Sequence, residues 1–190
     1  MHVLRTKILL LCITALTCFF SAGAPIRETG AWSKPVNGVQ GRLIVSDDPP
    51  VNDTKMVAVY LELRNVSDFA NPIWIYYDPS HVFQCQLLDA TGKPVERALS
   101  IADIWQPPPF WLALPHDSSL RFRISVSGYG IPHNAGTSIQ MDCGNWLIKT
   151  DDQSEYALEV TFASTKPQKD APERRAWEGT LKLPKVKVSH

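Results

Sequence analysis

Cysteine is scarce and widely spaced in this chain: four in 190 residues, at Cys12, Cys18, Cys85 and Cys143. Cys85 and Cys143 stand 58 positions apart with no second Cys or His beside either, which excludes zinc fingers, ribbons and knuckles. Histidine is equally thin, with His2 near the start, His81, His116 and His133 each alone in a loop, and His190 at the end. A loop-built metal site from His81, His116 and His133 with Asp78, Asp117 or Asp142 is the alternative to solvated loop histidines, and the solvated reading is preferred. A blue-copper centre needs a His soon after its Cys. Here Met141 precedes Cys143 and no His follows before His190.

Charge of one sign is also missing, since 19 Lys and Arg balance 19 Asp and Glu. A generally basic nucleic-acid surface is therefore not expected. No phosphate-cradling loop is present: Gly128 and Gly130 lack a third glycine, a lysine and a following helical pattern. The same stretch has no glycine before its serines, so it makes no nucleophile elbow. Asp47-Asp48 and Asp151-Asp152 lie in turn-rich sequence, where acids serve local hydrogen bonding. No catalytic residue and no cofactor is expected.

One apolar run does occur. Arg5 and Lys7 precede Ile8 to Phe20, interrupted only by threonines and followed by Ser21-Ala22-Gly23-Ala24. This is the pattern of a cleaved signal peptide over residues 1–24, with Ala22, Gly23 and Ala24 as alternative cleavage positions. If uncleaved, it would be the chain's one membrane contact. The mature chain keeps 17 basic and 19 acidic residues, with seven basic and three acidic after Thr165. The basic end reads as an edge strand whose lysines discourage pairing, with contact to an anionic surface as the alternative. A secreted or periplasmic location follows, and there Cys85 and Cys143 are each other's only candidate disulfide partners, two separately buried thiols being the alternative.

No stretch of the mature chain carries a helical stripe longer than two turns; Pro94 to Ile104 has helical composition but is short. Two-residue alternation is common instead. Val57, Val59, Leu61 and Leu63 alternate with Ala58, Tyr60, Glu62 and Arg64, and Arg42 to Val45, Pro72 to Tyr77, Val82 to Leu88, Leu120 to Val126, Tyr156 to Phe162 and Trp177 to Leu183 complete seven strands. Residues 25–39 read as an extended arm pinned by Trp32, and Asp47 to Asp53 as a loop. The expectation is an all-β, immunoglobulin-like antiparallel β-sandwich over residues 40–190, each sheet with one face in water. A barrel or jelly roll is the alternative.

The most unusual segment is Trp105-Gln106-Pro107-Pro108-Pro109-Phe110-Trp111. Exposed Trp105, Phe110 and Trp111 on a proline-stiffened segment would offer rigid contact area for a sugar ring or a protein. Buried, they would plug one end of the sandwich, which is the preferred reading. Asn52-Asp53-Thr54 and Asn65-Val66-Ser67 match the glycosylation pattern.

Leu63 to Asp68, the Pro72-Ile73 strand, Leu87 to Val95 and Leu114 to Ser119 give the stretch 56–126 a resemblance to secreted bacterial immunoglobulin-like domains of the intracellular-proteinase-inhibitor type. The resemblance implies a sandwich fold; no inhibitory residue carries over. The expected function is that of an exported, non-enzymatic binding or accessory module for a protein or polysaccharide. Its alternative is carbohydrate binding through the Trp/Pro-rich loop.

Overall fold

The computed structural model describes residues 25–78, 82–98, 108–126, 131, 133, 136–149, 151–152, 154–164 and 176–188. Residues 1–24, Trp105, His81, the Gly128–Gly130 glycines and much of the basic end lie outside the described residues. The described chain is all-β, with no helix. Its strands are β1 (Ile26–Thr29), β2 (Val39–Val51), β3 (Thr54–Asn65), β4 (Ile73–Tyr77), β5 (Phe83–Leu88), β6 (Phe110–Leu114), β7 (Ser119–Arg123), β8 (Thr137–Met141), β9 (Gly144–Ile148), β10 (Tyr156–Ser164), β11 (Gly179–Lys182) and β12 (Val186–Val188).

β3 organises one layer. It pairs along its length with β2, whose far edge takes β1, and its other edge takes β7 antiparallel at Tyr60–Arg64 and β8 in parallel at Lys55–Met56. β10 organises the other layer, with β5 on one edge and β11 then β12 along the other, on either side of Pro184. β4 and β6 form a two-stranded ribbon, and a bridge from Trp74 to Ala176 ties β4 to the entry into β11. Between the layers lie Leu43, Val45, Val57, Val59, Leu61, Leu63, Leu158, Val160, Phe162 and Leu181, all completely buried. The strict alternation of β3 supplies four of these, because a strand sends every second side chain to one face.

Four stretches differ from the sequence expectation. β2 runs on through Asp47-Asp48-Pro49-Pro50 to Val51 instead of ending at Val45. The prolines fit because β1 pairs no further than Ser46 and the β2–β3 register slips between Asp48 and Val51, and proline is tolerated at edges and bulges. Asn52 and Asp53 then close the hairpin, both at positive φ (51° and 58°), a conformation these residues tolerate. The arm is not merely extended: β1 pairs with β2, and the guanidiniums of Arg42 and Arg64 both lie over the Trp32 ring, 4.4 and 4.1 Å from its centre. The β8–β9 hairpin and β6 are strands that alternation did not single out.

The second face of β3 is not simply wet either. Met56 and Ala58 are fully buried there, and Glu62 is nearly so. Glu62 Oε2 takes the Arg42 Nε at 2.6 Å and Oε1 lies 3.4 Å from Arg121 Nη2. A carboxylate is stable at such burial only when paired in this way.

Candidate functional site

The β4–β6 ribbon positions the aromatic residues singled out from the sequence. Its register pairs Tyr77 with Phe110, Tyr76 with Trp111, Ile75 with Leu112 and Ile73 with Leu114. Alternation then sends Phe110, Leu112 and Leu114 inward with Ile73, Ile75 and Tyr77, while Trp111 faces outward with Trp74 and Tyr76. Phe110 and Trp111 therefore belong to opposite faces, and Trp105 lies outside the described residues. Trp111 packs on Tyr76, ring centres 5.3 Å apart and planes crossing at 58°.

Phe110, 42% exposed, stands at the mouth of an apolar cavity of about 350 Å³. Leu112 of β6 and Leu120 and Phe122 of β7 line it from two strands. Tyr77 closes the back, its ring 5.2 Å from both Phe110 and Phe122 and 6.0 Å from Phe83. Phe83 continues to Phe162, and Phe162 stacks on Trp177, so an aromatic chain crosses the interior from the cavity. Burial, reinforced by the nearby Asp142 carboxylate, pushes the Tyr77 phenol well above the ordinary tyrosine range. It stays neutral. Arg123, the basic residue in the wall, is engaged by Asp48 and by the Ser125 carbonyl at 2.9 Å.

The two strands that flank the mouth are both outer strands. Among the described residues β6 pairs only with β4 and β7 only with β3, so each has one edge that carries no ladder there. Pro115, His116, Asp117 and Ser118 join them in a turn, with Asp117 at φ 52° and the Ser118 hydroxyl donating to the Pro115 carbonyl at 2.7 Å. His116 pairs with Asp117 at 3.1 Å in this turn, while His133 is exposed elsewhere. Among the described residues no three His, Cys, Asp or Glu side chains are grouped to hold a metal ion.

Cys85, on β5, and Cys143, in the β8–β9 turn beside Asp142, meet as a disulfide pair with Cα atoms 5.4 Å apart. The pair ties the β10 layer to the β3 layer next to the cavity. Asn65, read as a possible glycan acceptor, has its side chain buried: its amide donates to the Leu114 carbonyl at 3.1 Å and its oxygen accepts from the Ser67 amide and hydroxyl. It anchors the end of β6 to the end of β3. The cavity itself had no sequence motif, because it arises where two strands distant from each other's partners fail to meet. No family model matches the chain, and comparison with curated proteins and with solved structures finds no match in either.

Proposed function

We propose that the protein is an exported, non-enzymatic immunoglobulin-like sandwich that binds another polypeptide at the mouth between β6 and β7. The observation that carries this reading is the apolar cavity of about 350 Å³ lined by two strands, each with one edge that carries no ladder among the described residues. Such an edge beside an apolar slot suits an extended peptide, whose main chain completes a ladder while alternate side chains enter the slot. The lining is mainly apolar, with Tyr77, Arg123, Ser125 and Asp142 as its polar members; the phenol is neutral and the arginine is paired with Asp48, which suits an uncharged segment and disfavours a polyanion. The layer-linking disulfide supports the exported setting.

The test is titration with a short synthetic peptide of alternating valine and threonine, read by tryptophan fluorescence and by amide exchange in β6 and β7. Saturable binding, lost in Leu120→Glu, is expected. Absence of any saturable binding would contradict the reading.

Carbohydrate binding is the second reading, favoured by the outward Tyr76–Trp111 pair with Trp74 on the same face. The 58° between the paired rings lets only one lie flat on a sugar face. A fluorescence shift with a polysaccharide panel that disappears in Trp111→Ala would favour it over the peptide reading.

A further inference from the structure

The outer strands of this fold are treated unequally. β1 carries Arg27 and Glu28, β7 carries Arg121 and Arg123, and β11 and β12 carry Lys182 and Lys187. The free side of β5 is occupied by Val95, whose amide donates to the Leu87 carbonyl at 2.8 Å, and by Arg97, which reaches the Cys85 carbonyl. β9 is covered at Asn145, whose carbonyl accepts from the Ala98 amide at 2.8 Å. Charges and covering segments of this kind are how sheet proteins prevent edge-to-edge pairing. β6, Phe-Trp-Leu-Ala-Leu, has neither among the described residues: no charge, no proline within it and no partner on its second edge.

The sequence of β6 also fits itself. A two-fold axis through Leu112 would set a second β6 antiparallel to the first, placing Leu112 against Leu112, Phe110 against Leu114 and Trp111 against Ala113. On the outer face the largest side chain then meets the smallest, and exposed Ala113 leaves room for the half-buried Trp111 of the other copy. On the inner face Phe110, Leu112 and Leu114 of both copies would close the cavity mouth. The strand is already extended and built into a ribbon, so little ordering entropy opposes the pairing. With 17 basic and 19 acidic residues once residues 1–24 are removed, long-range repulsion between copies is small.

We infer that the polypeptide taken up at this site is a second copy of the chain, joined through β6 so that two β4–β6 ribbons form one continuous four-stranded sheet. This rests on the peptide-binding reading above and names its partner. The resulting interface is isologous, as two-fold dimers require.

Sedimentation velocity of the disulfide-intact protein, from low micromolar to several hundred micromolar, should show a concentration-dependent dimer. Ala113→Lys places a charge against the facing Trp111 and should weaken association by about tenfold or more. Leu112→Cys should yield a covalent dimer on mild oxidation, since directly opposed Cα atoms in an antiparallel pair lie about 4.5–5.5 Å apart, within disulfide reach. Ala113→Cys, displaced from its own copy across the axis, should not. A monomer at every concentration with no Leu112→Cys cross-link overturns the inference, and it does so whether or not the valine-threonine peptide binds. Peptide binding by such a monomer leaves the broader reading standing, and its absence removes both. If Ala113→Lys fails to fold by circular dichroism, the paired cysteine variants decide the matter alone.

Discussion

Trp32 joins the first described strand to the sheet through two cations. In contact with the guanidiniums of Arg42 and Arg64, with Ser33 donating its amide to the Gly41 carbonyl at 2.9 Å, it converts a short terminal segment into part of the layer. Trp32→Ala should cost about 1–2 kcal/mol in denaturant unfolding and speed amide exchange at Gly30 and Ser33, while β3 amides keep their protection. Tyr77 makes a pH prediction. Its folded-state pKa is raised, so its stabilisation is fully present below the ordinary tyrosine value of about 10 and is lost as pH rises from there toward the folded value. Stability should therefore fall above about pH 10, and Tyr77→Phe should flatten that fall. An unchanged alkaline slope in the variant would count against the buried neutral phenol. The role of Trp32 was legible as a lone aromatic in a polar arm; the two arginines that hold it were not, because they are separated from it by ten or more positions and meet it only through strand pairing.

At the scale of elements, alternation identified β3, β4, β5, β7 and β10 because each has one face against the core, so burial imposed the period. It failed where a second constraint shaped the sequence. β6 reads as an aromatic proline-rich segment because Pro108, Pro109 and Pro115 bracket five apolar residues whose two faces are both partly covered. β8 is buried at four of five positions, which removes the alternation altogether. The Asn37-Gly38 turn carried a strong hairpin signal that the reading of an arm through residue 39 passed over. Val36 and Val39 exchange both backbone hydrogen bonds around it, at 2.8 and 3.0 Å. Gly38 sits at φ 84°, and an added Cβ would come within 2.6 Å of the Ser67 Cβ. Gly38→Ala should therefore destabilise by about 2 kcal/mol or more, through backbone strain and the clash. Thermal unfolding of the purified variant measures this directly, and a loss of less than a few tenths of a kcal/mol would place the turn outside the cooperative structure.

Among the described residues the molecule is two β-layers and a two-stranded ribbon, with a covalent tie between the layers and an apolar cavity beside it. Closing the loop between Cys85 and Cys143 should stabilise the fold by about 4 kcal/mol through the restricted unfolded chain. Comparing urea unfolding of the native protein with that of Cys85→Ala/Cys143→Ala should return a loss of that order; an unchanged midpoint would show that the layers hold without the tie. The two cysteines were each other's only candidates once residues 1–24 are read as a signal, whereas the cavity had no sequence cue. Its existence depends on β6 belonging to the β4 ribbon and β7 to the β3 layer, a division that only long-range topology decides.

The claim that the β6 edge pairs with a second copy of the chain is tested most directly by amide hydrogen exchange at residues 110–114 over a range of protein concentration. Protection of those amides should rise with concentration while β2 and β3 remain equally protected throughout. Protection in β6 that is independent of concentration, whether uniformly high or uniformly low, would contradict the account.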